Sequence, residues 1–366
     1  MPGLTSGAHC YRIDMTILDA HCDAPSQMYR GRDYGRDNDH AQVDFPKMKR
    51  GGVDASFFAL YIPAELREDD AVAYASRLLA EVRRQVEANS DKVAFATSRE
   101  EVIRNKKNGL VSILLGIENA SALGRDLGLL ESYYESGVRY ITLTHSEDNL
   151  VGDSCSGTGR WGGLTRFGRE VVREMNGLGM LVDLAHSADS TIRDVLEITS
   201  APVVYTHGCC RALCRHKRNL PDELMKAVAD TGGVVGMSIY PVFMSDDFAP
   251  IYLEAVTRLD SVNVEKRFIL DPLDKAKIAA WNETQDKLAA VPRPGVEVVV
   301  DHIVHALNIA GEKHVGIGTD YDGIDLTADG LENVSSLGLL LDALRRRGLS
   351  QDVIEGVAGR NFLDLL

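Results

Sequence analysis

Eight short apolar runs recur along the chain, at 17–23, 53–62, 110–118, 140–145, 181–186, 202–207, 234–240 and 314–320. Between most of them lie segments whose apolar residues return every three or four positions, the period of a helix with one buried face. Residues 71–88 and 164–178 read this way, the second with Thr165 as its cap, and so do 296–309 and 337–347. The segment 221–229 opens with Pro221, Asp222 and Glu223, the order expected of a helix start. Eight β-runs alternating with helices predict an α/β fold, a single (β/α)8 TIM barrel, rather than an open doubly wound sheet. No G-x-G-x-x-G follows the first run and no phosphate-binding G-x-x-x-x-G-K-[ST] is present. The Gly-rich stretch 152–163 reads as a long βα loop placed to cover a site. Residues 241–295, after the seventh run, are too long for a plain connection and predict an insertion with its own helix around 274–289. Residues 1–14 read as an extension, and no linker divides the chain, so 1–366 is expected to be one domain.

Composition narrows the partners. At 366 residues, 45% hydrophobic and 26% charged, the chain is neither disordered nor of low complexity. Forty Lys and Arg against 54 Asp and Glu give a net charge of −14, which argues against nucleic-acid or anionic-membrane partners. No apolar stretch approaches the ~20 residues of a membrane span, the first fourteen residues lack the apolar core of a secretory signal, and the C-terminal residues lack a lipid-anchor tail. The six cysteines, at 10, 22, 155, 209, 210 and 214, form no Cys-x-x-Cys and suit reduced thiols. The expectation is a cytoplasmic protein, with a homo-oligomer left open.

The chemistry collects at the ends of the runs. The first ends in His21-Cys22-Asp23, the third at Glu118, the fourth at His145, the fifth at His186, the sixth at His207 and the eighth at Asp320. Barrel active sites sit at the C-terminal ends of the strands. A single strand-end histidine is usually a satisfied core or loop residue; four converging on one mouth are not explained that way. His21 and Asp23, two apart on a strand, face the same side and can bind one ion. His186 and His207, on consecutive strands, can hold a second. Glu118 lies between the pairs and has two oxygens with which to bridge them. Imidazole and carboxylate suit first-row transition metals, zinc being the usual occupant, and two such ions ~3.5–4 Å apart activate water at neutral pH.

These residues belong to segments that resemble the membrane (renal-type) dipeptidase family of metallopeptidases, within the broader amidohydrolase-like barrels. The matching pieces are LDAHCDAP (18–25), LLGIEN (114–119), YITLTHSEDN (140–149), GLTRFGREVVREMNGLGMLVDLAHSA (163–188), PVVYTHGCCRAL (202–213), HKRNLPDELM (216–225), HVGIGTDYDG (314–323) and VAGRNFL (357–363). They span the chain almost end to end. The resemblance implies two Zn2+ per chain, one on His21 and Asp23, the other on His186 and His207, bridged by Glu118. It implies that His145 polarises the scissile carbonyl, that Arg218 grips the substrate carboxylate with its planar fork, and that Asp320 carries the proton to the departing amine. The implied substrate is a dipeptide, with tolerance of a D-residue at its C-terminal position. Read without the family, Arg218 is a surface charge flanking a helix.

Some positions carry weaker or competing readings. Tyr240 could line the pocket, although an aromatic at a strand end is more often packing. Asp322 reads as a turn residue before Gly323. Cys22, between two ligands, should face away from them; with Ala24 and Pro25 it departs from the Asn, Gly and Trp found near this motif in many relatives, which puts pocket shape in question rather than metal binding. Cys209, Cys210, Cys214 and His216 are dense enough in zinc-binding chemistry to raise a separate structural site, but lack its paired spacing. Two rival functions stand beside the dipeptidase reading: hydrolysis of N-acyl amino acids or cyclic amides on the same metals, and a metal-binding barrel without catalysis.

Overall fold

The computed structural model describes residues 15–259 and 275–366. Among these, nine strands form in chain order: β1 (Leu18–Cys22), β2 (Ala55–Tyr61), β3 (Val93–Phe95), β4 (Val111–Glu118), β5 (Val138–Thr142), β6 (Leu181–Asp183), β7 (Val203–Gly208), β8 (Val234–Met237) and β9 (Val315–Ile317). They pair in parallel in the order β1-β2-β4-β5-β6-β7-β8-β9, with β3 off this path against β4. At the open edge, the Asp320 amide donates to His21 O at 3.0 Å and the Asp23 amide to Tyr321 O at 2.8 Å. Those bonds bring the end of β9 onto β1, and eight strands make a nearly closed (β/α)8 barrel. All eight apolar runs thus contain barrel strands; β3 is the extra one.

Parallel strands covered on both faces bury nearly every side chain, which is why they appear in sequence as unbroken apolar runs. β4 is buried throughout and β2 at every position but Tyr61. Alternate residues fill the barrel: Leu18, Phe57, Leu114, Tyr140, Val204 and Val234 meet inside it, joined by Phe362 from the last helix (Asn361–Leu363). Phe58, Leu60, Ile113 and Leu115 point outward into the layer of helices. Gly116 of β4 makes one interior contact feasible, since a Cβ there would lie 2.2 Å from Tyr140 Cζ. The Tyr140 ring fills that space and carries its hydroxyl up toward the site.

The helices follow the amphipathic segments. Arg166–Leu178 starts at Thr165, whose side chain accepts from the Gly168 amide, and stops at Gly179 with φ 74°. It buries Val171, Val172 and Met175 against the barrel, each contributing about 1.5–3 kcal/mol. The predicted insertion supplies Pro241–Met244, Phe248–Leu259 and Lys275–Ala289; residues 260–274 of it lie outside the described residues, as does the 1–14 extension. No helix among the described residues is long and apolar enough to cross a membrane.

Strands β5, β6, β8 and β9 stop short of the C-terminal ends of their apolar runs. His145, His186 and Asp320 therefore stand in the first residues of loops. His186 and Asp320 have φ of 66° and 65°, left-handed values that end a strand and are uncommon for residues with a side chain.

Candidate metal centre

Five side chains from four strands of the barrel rim meet at one point: His21 and Asp23 at the end of β1, Glu118 at the end of β4, His186 after β6 and His207 in β7. The two oxygens of Glu118 face different partners. Oε2 lies 3.6 Å from His21 Nε2, while Oε1 lies 2.9 Å from His186 Nε2 and 3.4 Å from His207 Nε2. Asp23 Oδ2 is 3.7 Å from His21 Nε2. Two sets, His21–Asp23–Glu118 and Glu118–His186–His207, each present ligand atoms within 4.8 Å of one another; His21, His207 and Asp320 form a third such set.

The donor set fits divalent cations. His21 Nε2 and Asp23 Oδ1 are shielded from solvent and have no hydrogen-bond partner, a costly condition unless a ligand completes them. Three buried carboxylates, Asp23, Glu118 and Asp320, converge without a Lys or Arg ion pair among the described residues. A cation held between them would balance such a group.

Supporting groups fix the imidazoles from behind. Tyr140 Oη lies 2.8 Å from His21 Nδ1. Thr206 Oγ1 lies 2.9 Å from His207 Nδ1 and donates to Asp183 Oδ2 at 2.7 Å; Thr142 donates to the same oxygen at 2.5 Å. Each arrangement leaves Nε2 toward the centre, as metal-binding histidines require. Tyr140→Phe keeps the ring that packs on Gly116 and removes only the hydroxyl. Its metal affinity, read by chelator competition, is expected to fall about 10-fold or more, with the melting temperature of the metal-free protein little changed.

Electrostatics around the centre follow from burial and crowding. Burial, then the Glu118 charge, lifts Asp23 to about 6. Burial, then the Asp23 charge, pushes Asp320 well above the ordinary carboxyl range. Burial alone would raise Glu118, but His21, His145 and hydrogen bonds from His186 and His207 hold it well below. Burial depresses His186 and His207 well below the usual imidazole value, keeping them neutral and able to bind a cation. It also lowers His145. Gly323 closes this region: a Cβ there would stand 2.0 Å from Asp23 Oδ2 and 2.6 Å from Asp320 Oδ1.

A cavity of about 200 Å³ opens above the cluster, walled by Asp23, Glu118, His145, His186, Tyr240 and Asp320 among others. His145 Nε2 is 3.8 Å from Glu118 Oε1, and its Nδ1 is buried without a partner. Tyr240 is in the wall, as the sequence raised. Arg218 is not on the surface: it is 3% exposed and lies behind the wall. Its guanidinium donates to Tyr205 Oη at 2.8 Å and His207 O at 3.0 Å, leaving Nε without a partner, and stacks 5.3 Å from the Phe243 ring centroid. Asp322 accepts from Tyr34 and, at 2.7 Å, from the Gln42 amide. It too has a positive φ, 65°, in keeping with a turn role. The 152–163 loop contributes nothing to the cavity wall. Instead Ser154 braces the backbones of His145 and His186. Cys209 and Cys214 turn toward different backbone carbonyls, of Ser238 and Val242, and no cysteine joins a metal-capable group among the described residues. Cys22 packs away from the centre against Ser56, 3.4 Å between Sγ and Oγ.

Sequence reasoning missed several wall residues: Arg30, Tyr61, Phe243, Tyr252 and Asp325. Phe243 and Tyr252 come from the insertion, whose sequence gives no sign of folding back over the barrel mouth.

The model of the family described as membrane dipeptidase (peptidase family M19) matches residues 8–366. The dipeptidase verJ of Clonostachys rogersoniana is 31% identical over 337 residues, covering 89% of this chain and 75% of that protein. Among solved structures, the probable dipeptidase PvdM from Pseudomonas aeruginosa superposes with a TM-score of 0.82 at 24% identity, over 97% of this chain and 95% of the other. A metallopeptidase from Rhodobacter sphaeroides, solved with a phosphinate mimic of the dipeptide L-Ala-D-Ala, gives 0.79 at 23% identity, over 96% and 98%.

Proposed function

This chain belongs to the membrane dipeptidase family of peptide-bond hydrolases, and within it we propose a binuclear zinc dipeptidase that accepts either an L- or a D-residue at the C-terminal position. The observation that carries the two-metal reading is the division of Glu118 between His21 on one side and His186 and His207 on the other. In this reading His21 and Asp23 would hold one Zn2+, His186 and His207 the other, and Glu118 would serve both. Bound there, the pair would supply Lewis acidity and a water of lowered pKa.

The protein's own groups do the rest. His145, a neutral imidazole in the cavity wall, donates to the carbonyl oxygen of the scissile bond as charge builds on it. Asp320 takes the proton lost by the attacking water and returns it to the leaving amine, which prevents expulsion of an unprotonated amide. Arg218 holds the positive charge toward which the product-side carboxylate is drawn; its buried, unpartnered Nε supports this role, and Phe243 fixes its plane. Tyr240 lines the same approach. The five described free cysteines favour a reducing, cytoplasmic setting.

Zinc analysis of the purified protein, paired with turnover of L,L and L,D dipeptides and of N-acyl amino acids, tests the reading. Two zinc ions per chain and chelator-sensitive dipeptide cleavage are expected. Cleavage of N-acyl amino acids alone would transfer the site to the rival hydrolase reading. Two bound ions with no turnover of any panel member would favour the barrel without catalysis.

A further inference from the structure

Asp325 follows Asp320 by five residues and lines the same cavity as Glu118 and His145, yet none of the chemistry above uses it. Its two oxygens are unequal. Oδ2 accepts from Tyr252 Oη at 2.6 Å, whereas Oδ1 is shielded from solvent and has no hydrogen-bond partner. A carboxylate oxygen held in that state costs stability unless something completes it in function. No Lys, Arg or His ion pair reaches it among the described residues. Burial raises this carboxyl, and the Tyr252 and Tyr240 hydroxyls beside it oppose that rise. The two tyrosine rings stand edge to face, 5.9 Å between centroids. An acid with a vacant acceptor beside two aromatic rings is the arrangement that recognises an organic cation, by charge-assisted hydrogen bond and cation–π attraction together.

We propose that Asp325 is the anionic anchor of the substrate pocket, taking a cationic group on the amino-side residue of the dipeptide. This rests on the dipeptidase reading and specifies its substrate class: peptides with a free amino-side cation rather than N-acylated amino acids. Every unblocked dipeptide supplies an α-ammonium, and one beginning with Lys or Arg supplies a second cation on its side chain. Both have the chemistry the site offers.

The test compares wild type and Asp325→Asn on three substrates: alanyl-alanine, lysyl-alanine, and propionyl-alanine, which matches alanyl-alanine but lacks the ammonium. Wild type is expected to prefer alanyl-alanine to propionyl-alanine. In Asp325→Asn that preference should collapse by about 10- to 100-fold in kcat/KM, chiefly through KM, with zinc content retained. Each preference is a ratio on one preparation, so incomplete folding does not imitate the effect; Asp325→Glu, which restores the charge, should recover part of it. A loss confined to lysyl-alanine would make the side chain the anchored cation and still support the proposal. A wild type that cleaves dipeptides, with the same ratios in Asp325→Asn, overturns it. A wild type that cleaves none of the dipeptides sinks the dipeptidase reading instead, and this inference with it.

Discussion

Glu118→Gln is expected to hold no more than one tightly bound zinc per chain and to lose about 10³-fold or more in kcat on the best dipeptide. The substitution is nearly isosteric, and the side chain is 2% exposed in a strand buried at every position, so packing changes little. What changes is chemistry. The carboxylate offers one oxygen to His21's side of the cluster and the other to the side of His186 and His207. An amide keeps one oxygen and replaces the other with an NH2 group that donates and cannot bind a cation. Whichever way it turns, one metal set drops to two protein ligands. The negative charge between the sites is lost as well, removing part of what holds two cations close together. Elemental analysis and turnover on the same preparation check both halves. A Glu118→Gln protein with two zinc ions and full activity would remove the bridging role.

The barrel and the centre differ in how plainly the sequence carries them. Strands β1, β2 and β4 to β9 were legible because burial on both faces forces continuous apolar runs, whereas β3 is three residues long with only Val93 fully buried, too little to stand out. His21, Glu118 and His207 lie in the strands, so their place on the rim follows from the runs alone. His186 and Asp320 turn into the site through positive φ values that their residue types do not announce. The reading of Arg218 needed the family resemblance, since a charge after a Cys-rich loop gives no local sign of being buried against Tyr205. Tyr140 reads as an ordinary core aromatic; its hydroxyl matters only because Gly116 lets the ring lie across the barrel beneath His21. The cavity wall was least legible. Tyr252 and Asp325 are 73 residues apart and meet only because the insertion packs over the loop after β9, a long-range contact with no periodic signature.

Asp320→Asn should separate proton transfer from metal binding at the centre. The expected result is a loss of about 10²- to 10⁴-fold in kcat, with two zinc ions retained and KM changed little. Asn is the replacement of choice for local reasons. Residue 320 has a φ of 65°, a conformation that Asn tolerates better than most residues. Gly323 packs 2.6 Å, measured from its would-be Cβ, from Asp320 Oδ1, so a larger side chain would displace the loop that also carries Asp322. The amide fills the same space and can still hydrogen-bond, but it cannot accept a proton from water and deliver it to an amine. If Asp320 carries that proton, the chemical step slows while the metals and the bound substrate stay in place. The alternative is built into the same geometry, because Asp320 forms a ligand-capable set with His21 and His207. Were it a metal ligand, Asp320→Asn would lose zinc in proportion to activity, and added zinc would restore both. Zinc content measured alongside kcat therefore decides between the two roles, and metal loss that tracks the loss of turnover would end the assignment of Asp320 as the proton carrier.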